Sequence, residues 1–502
     1  MGHPLLYEIN ARCWLRELSQ RHGEAITLAN VPATEFQYWH RLGFTHIWLM
    51  GVWSTGPRSR VFSLGQTALL EECAALLSDL GEADIGGSPY AISGHGISPD
   101  LGGEAGLRLF RERLKAHQLK LILDFIPNHT GLDHPWLEQR PELFVQSPAR
   151  QPATFLREGP ASASWLAHGK DPNFPAWRDT AQLDYRNPAT RNSMIEELQI
   201  VAALCDGVRC DMAMLVLNDV FARNWQAFPG PAAPPTEEFW PGAIAAVKRA
   251  APEFLFLAEV YWDLERRLQS LGFDYTYDKR LYDWIVARQA GQTQMRLLGA
   301  PREFLQRSAH FLENHDEPRI ASLLSPAEHR AAALLILGLP GLRLLHEGQL
   351  TGATTHLKVH LARRPHEPAQ PELTAMYEFL LTALQATAVG KGRPELLLPA
   401  AAWPGNPTSQ NFVVVQWQSV PSEFDLVVVN LAPHPSQCRV RLQVEGLAGR
   451  RWHLTNLLGV EEFERTGADL QHDGLYLDVP GHAAQLFHSQ AAVAPETANN
   501  VR

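Results

Sequence analysis

Cysteine is scarce in this 502-residue sequence: Cys13, Cys73, Cys205, Cys210 and Cys438 are scattered, odd in number and without a C-x-x-C spacing. Neither a disulfide framework nor a zinc site is indicated, and buried thiols are the plain reading. Positive charge is also in deficit, with 44 Lys and Arg against 54 Asp and Glu and a formal net charge of −10. Polyanions are held by clustered basic surface, so no nucleic-acid partner is expected. No stretch stays apolar for the ~18 residues of a membrane span. The opening MGHPLLYEIN lacks the basic start and long apolar middle of a secretory leader. The expectation is a soluble, cytoplasmic protein that does not engage a membrane; the sequence is silent on oligomeric state.

What is present is a series of short apolar runs that end in polar residues: THIWLMGVW (45–53), LKLILDFIPNH (119–129), CDGVRCDMAM (205–214) and FLFLAEVYW (254–262). Such runs suit strands buried on both faces of a parallel sheet. Helical stripes lie between them, Leu107, Phe110 and Leu114 in one, Ile195, Leu198, Val201 and Ala202 in another. Strand alternating with helix predicts an α/β fold, a (β/α)8 TIM barrel. A barrel spends roughly 30 residues per unit, yet Asp124 and Asp211 are 87 apart. The surplus falls on 130–184, rich in proline and aromatics, which reads as a small inserted domain after strand 3. The barrel is then expected over 1–129 and 185–390. From 391 to 488 short alternating runs, NFVVVQWQ, FDLVVVNLA, CRVRLQV and a final strand near LYLDVP, predict an antiparallel β-sandwich. Residues 489–502 lack core side chains and are expected to form a disordered tail.

Four segments carry the chemistry: DFIPNH (124–129), GVRCD (207–211), LAEVYW (257–262) and FLENHDEPR (311–319). Each follows an apolar run, where a barrel builds its active site. In their order and spacing they resemble the four motif regions of the α-amylase superfamily, glycoside hydrolase family 13, and the resemblance extends from YEIN through the terminal sandwich. It implies a retaining α-glycoside hydrolase or transglycosylase with Asp211 as nucleophile, Glu259 as general acid/base and Asp316 as the third essential carboxylate. It also implies that His129 and His315 hydrogen-bond the sugar at the cleavage point, that Tyr90 in GSPYAI stacks on the same ring, that Arg209 sits beside Asp211 and in contact with substrate, and that Asp124 supports Arg209.

The residue types suit those roles. One carboxylate must be ionised to attack while another keeps a proton for the leaving oxygen. Arg209, two residues before Asp211 on one strand, points to the same side and holds it ionised. Glu259 leaves an apolar run beside Tyr261 and Trp262, surroundings that raise a carboxyl towards neutral pH. Among the tryptophans, Trp53 and Trp262, each just past a strand end, are the candidates for sugar stacking.

The sequence departs from the family where starch-degrading members carry Lys-His after the nucleophile. Here stand Met214 and Leu215, a pair resembling members that act on short α-glucosides such as disaccharides. LRLLHEGQLTG (342–352) also departs, without an interpretation. An endo-acting α-amylase on starch-type glucans is the runner-up, and a non-catalytic barrel scaffold or carbohydrate-binding protein is the reading from another class. A metal-dependent hydrolase is disfavoured: His346-Glu347 lacks the second histidine of H-E-x-x-H. No cofactor or metal is required by this reading. A structural calcium is suggested only by Asn128, at a position that binds it in many α-amylases, while the rest of that site is not recognisable. The expected partner is a small oligosaccharide or glucoside.

Overall fold

The computed structural model describes residues 2–158, 164–230 and 235–492. Eight parallel strands close into a barrel: β1 Leu5–Asn10, β2 His46–Met50, β3 Lys120–Phe125, β4 Gly207–Cys210, β5 Leu255–Ala258, β6 Tyr275–Tyr277, β7 Ser308–His310 and β8 Leu342–His346. Registers Glu8↔His346, Trp48↔Ile122 and Arg209↔Asp124 fix which residues share the interior. β2, β4, β5, β7 and β8 are buried at every position, as expected of strands covered on both faces.

Local signals start the helices that cover the barrel. Asn10 caps α1 (Ala11–His22) by accepting from the Cys13 amide, and Gly23 in the left-handed region ends it. α2 (Ala33–Arg41) and α3 (Gly103–Ala116) follow. Asn187 with Pro188 opens α4 (Pro188–Leu204), and a Ser325/Glu328 capping box opens α5 (Pro326–Gly338). Gly207 begins β4 because a Cβ there would stand 2.6 Å from Ile122 Cδ1 and 2.7 Å from the Leu255 carbonyl oxygen. The strand that carries Arg209 lies too close to its neighbours for any side chain at that point.

Two excursions leave the rim. The one after β3 contains a three-stranded sheet of Gln146–Ser147, Thr154–Arg157 and Ser164–Ala167, and a pairing of His129–Gly131 with Thr180–Gln182. The other, after β2, was not anticipated. Helices Pro57–Leu64 and Thr67–Leu76 and the antiparallel pair of Trp53–Thr55 with Ile92–Ile97 lie within the stretch assigned to the barrel. Cys73, Leu77 and Ile85 form a small separate core there with Leu361. The periodicity of so short an insertion resembles that of a barrel helix.

β9 Arg393–Leu397, β10 Phe412–Gln418, β11 Glu423–Asn430, β12 Ser436–Val440, β13 Arg451–Asn456, β14 Glu462–Thr466, β15 Leu475–Val479 and β16 Ala484–Ala491 build the C-terminal sandwich, with six antiparallel strands in one sheet and β12 and β15, joined by the short strand Ala400–Ala401, in the other. Val414, Leu426 and Val428 face the sandwich core. Their neighbours Val413, Val415, Val427 and Val429 join the barrel core, where Gly338 lets Val427 approach α5. That two-sided burial is why VVV runs appear in place of alternation.

The last strand corrects the expected tail and final strand. β16 runs to Ala491, pairing Ser489 with Leu454 and Gln490 with His453. A ladder is held by backbone groups, so a strand of unremarkable side chains escaped notice. The remainder of the expected tail, 493–502, lies outside the described residues. Among those described, no helix is long and apolar enough to cross a membrane.

Candidate active site

The C-terminal ends of β3, β4, β5 and β7 deliver His129, Asp211, Glu259 and the His315-Asp316 pair to one cavity of about 810 Å³, whose wall also includes Tyr90. Tyr90 comes from the excursion after β2, lies in a stacked arrangement over His315 at 5.5 Å, and brings its hydroxyl 2.8 Å from His315 Nε2. Six of the seven residues singled out from sequence line the cavity.

Arg209, expected to touch substrate, lies beneath the cavity instead. Its side chain points into the barrel and its donors are taken: Nη1 is 2.9 Å from Asp211 Oδ1 and 3.3 Å from Asp124 Oδ1, and Nη2 is 2.8 Å from Glu259 Oε2. The guanidinium sits over the rings of Trp48, Tyr90 and Tyr277, which enclose it. Asp124 is its support, as the resemblance implied, and is anchored in turn by Trp48 Nε1 at 3.1 Å.

Charge is unevenly distributed over the carboxylates. Burial pushes Glu259 up to about 7, with Arg209 pulling the other way and Asp211 and Asp316 adding to the rise. Its Oε2 accepts from the Met212 amide at 2.6 Å and its Oε1 from the Tyr261 hydroxyl at 2.9 Å. Burial likewise lifts Asp124 to about 7 against the pull of Arg209. For His315 burial works downward, but the carboxylates of Asp316 and Glu8 outweigh it and raise the imidazole to about 9. Burial lowers His129 from its ordinary value. Asp316 remains part-exposed, its side chain 44% accessible, as befits a group that meets a ligand.

Several contributors escaped the sequence reading. Glu8, wholly buried on β1, holds His315 Nδ1 at 2.5 Å; nothing in YEIN distinguishes it from a surface acid. Met212, Trp262 and Asp263 adopt φ of 43°, 66° and 61°, left-handed conformations that cost a non-glycine residue about 1–2 kcal/mol each. That strain, immediately after Asp211 and Glu259, turns the Met212 amide onto Glu259 and leaves Trp262 on the cavity rim. Trp177 also lines the cavity and packs on His129 at 5.1 Å, and Phe174 stands 70% exposed at the mouth. Trp53, by contrast, is fully buried and donates to the Asp124 carbonyl at 2.9 Å, so it is no stacking platform. Met214 and Leu215 are also fully buried, in a short 3-10 turn over Ala213–Val216, and the cavity wall on that side comes from Met212.

Asn128 does not fit a calcium ligand. Its side-chain oxygen accepts from Gln182 Nε2 at 3.0 Å and its amide nitrogen donates to Gln182 Oε1 at 3.3 Å. Gln182 Nε2 also lies 2.8 Å from the Asn128 carbonyl oxygen. A hard cation needs several converging oxygens, and here a buried amide donor occupies them. Among the described residues no three His, Cys, Asp or Glu side chains are grouped to hold a metal.

The family model for the α-amylase catalytic domain matches residues 33–370. α-Amylase 3 of Dictyoglomus thermophilum is 26% identical over 265 residues, 47% of this chain and 48% of the relative. An α-1,4-glucan:maltose-1-phosphate maltosyltransferase of Myxococcus xanthus is 27% identical over 249 residues, 48% of this chain and 31% of the relative. The match thus spans about half or less of these curated relatives. In fold the chain is similar to a noncanonic maltogenic α-amylase from Thermotoga neapolitana (TM-score 0.67, 19% identity, 98% of this chain and 99% of that one). It is similar also to an acarbose-complexed α-amylase from Geobacillus thermoleovorans (TM-score 0.63, 17% identity, 97% and 98%). With the catalytic-domain match covering the greater part of its length, the protein belongs to the α-amylase family.

Proposed function

We propose that this protein is a retaining α-glycoside hydrolase or transglycosylase acting on short α-glucosides by double displacement. The observation that carries the reading is the convergence of Asp211, Glu259 and Asp316 from three strand ends on one cavity, where burial pushes Glu259 up to about 7.

In the first step protonated Glu259 gives its proton to the glycosidic oxygen as that bond breaks, and an Asp211 oxygen bonds to the anomeric carbon. Glu259, now a carboxylate, then takes the proton of a water or sugar hydroxyl that attacks the same carbon from the vacated side and releases Asp211. One feature favours this retaining course: both carboxylates bond the one guanidinium of Arg209, which keeps them close, whereas an inverting pair stands wider to admit a water. Part-exposed Asp316 beside His315 offers an acceptor to a sugar hydroxyl.

Short substrates are favoured because the segment after the nucleophile offers only buried apolar side chains, Met214 and Leu215, with no cation or hydrogen-bonding group to hold a long chain. The five cysteines are all free and buried, which suits action in a reducing cytoplasm. The curated relatives named α-amylase favour the second reading, endo-cleavage of α-1,4-glucans.

The test is incubation with maltose, maltotriose, sucrose, trehalose, isomaltose and soluble starch, with and without phosphate, followed by proton NMR. The expected result is a short-sugar product that appears first as the α-anomer. A β-anomer first would overturn retention. Rapid starch depolymerisation would favour the second reading, and silence across the panel would revive the non-catalytic scaffold.

A further inference from the structure

Gripping the ring at the cleavage point takes up only part of the catalytic rim. His129 comes from the end of β3, the His315-Asp316 pair from that of β7, and Tyr90 from the excursion after β2. The arc left free starts at Glu259 on β5 and runs through β6 toward β7. With Glu259 as the acid, a reading on which this inference rests, the sugar that leaves or accepts lies along that arc.

Four acids line the cavity there: Asp263, Glu265, Asp283 and Glu317. Three are matched. Asp263 bonds Arg280 at 2.7 Å, Glu317 lies 3.3 Å from Lys279 Nζ, and Asp283 shares the same ammonium. Glu265 has no such cation. It opens the short helix Glu265–Ser270 directly after the left-handed pair Trp262 and Asp263. An acid in the first turn of a helix is favoured by the helix dipole and ordinarily stands in water, yet Glu265 is only 6% exposed. Burial raises its carboxyl above the ordinary value, against the pull of its own backbone amide and of Arg296. Arg296 is itself bonded to Asp278 at 2.5 Å. Among the described residues no hydrogen bond or ion pair from another residue ends on the Glu265 carboxylate.

A desolvated carboxylate without donors costs free energy, and the side on which donors can reach Glu265 is the cavity it lines. A carboxylate accepts and does not donate, so the fitting occupant brings hydroxyl groups. An anion would meet all four acids with both cations already engaged.

We infer that Glu265 is a specificity-determining residue, whose carboxylate accepts from hydroxyls of the sugar on the leaving-group side of the scissile bond.

Calorimetric titration into Asp211→Asn protein, alone and combined with Glu265→Met or Glu265→Gln, tests it. The ligands are maltose, sucrose, trehalose and isomaltose, beside methyl α-glucoside, whose methyl group stands where the second sugar would. Methionine keeps the length of the side chain without its oxygens; glutamine keeps one acceptor. The expected result is that Glu265→Met weakens at least one disaccharide roughly tenfold or more, as for a hydrogen bond to a charged group. Glu265→Gln should recover part of that loss, and methyl α-glucoside should bind all three proteins alike. The melting temperature should hold or rise in Glu265→Met, because a buried charge without a partner has gone. Glu265→Ala gives the same split between ligands should Glu265→Met not fold. Because binding is read without the nucleophile, the result does not depend on turnover, and failure of the proposed function shows separately in the sugar panel. Equal losses for disaccharides and methyl α-glucoside with a lowered melting temperature would make Glu265 merely structural. Unchanged disaccharide affinities, or no disaccharide binding to the parent, would equally overturn the inference.

Discussion

Glu8 and His315 are 307 residues apart in the sequence and 2.5 Å apart in space, carboxylate Oε1 against imidazole Nδ1, beneath the catalytic cavity. The imidazole is raised to about 9 because Asp316 and Glu8 outweigh burial, whereas an unfolded histidine titrates near ~6.5. The proton on His315 therefore stabilises the fold fully below pH ~6.5, and that share is lost as pH rises through about 9. Glu8→Gln removes one of the two carboxylates and should cost about 1.5–3 kcal/mol, as for hydrogen bonds to charged groups. Thermal melts should show a clear deficit at pH 6 that narrows by pH 10. An undiminished deficit at pH 10 would remove the charge from the explanation.

Glu259 is expected to set the alkaline limb of kcat/KM near pH 7, since the group must be protonated to donate and burial places it at about 7. Glu259→Gln should lose roughly 10²–10⁴-fold on a natural disaccharide. On an aryl α-glucoside with a good leaving group, which needs little protonation, the loss should be far smaller. Equal losses on both substrates would deny Glu259 the role of acid.

Tyr261 donates to Glu259 Oε1 at 2.9 Å, a bond that favours the carboxylate over the acid. Tyr261→Phe should therefore move the alkaline limb of kcat/KM upward, by up to roughly one pH unit, because a hydrogen bond to the charged form has gone. A loss of activity with an unmoved limb would mean that the hydroxyl only fills space.

Asp211, Glu259 and Asp316 could be placed at the barrel rim from the apolar runs that precede them, whereas their selection and proposed roles came from the resemblance to the α-amylase superfamily. What was not legible depends on contacts between distant strands. Arg209 was read correctly as the neighbour of Asp211, but its full engagement by Asp124 and Glu259 arises from registers that no local pattern encodes. Trp53 follows a strand end as Trp262 does, yet Trp53 pairs with Ile97 and is buried against His95, while Trp262 is turned outward by a left-handed backbone. Glu8 became visible only when β1 closed against β8. Met214 and Leu215 remained informative as an absence of polar groups, although not as walls.

The buried exchange between Asn128 and Gln182 carries the last prediction. Gln182 is wholly inaccessible, and its amide nitrogen lies within hydrogen-bond distance of the Asn128 side chain, the Asn128 carbonyl and the Leu183 carbonyl. These contacts tie the strand pair His129–Gly131 and Thr180–Gln182 to the end of β3, and thus place His129 in the cavity wall. Because an amide already fills the space among these oxygens, a chelator should leave the melting temperature of the purified protein unchanged. Gln182→Ala should strand buried polar groups and cost about 1–3 kcal/mol, read as a lower melting temperature together with a raised KM as His129 loosens. A chelator-induced drop in melting temperature that added calcium reverses would show that an ion, and not Gln182, holds this junction.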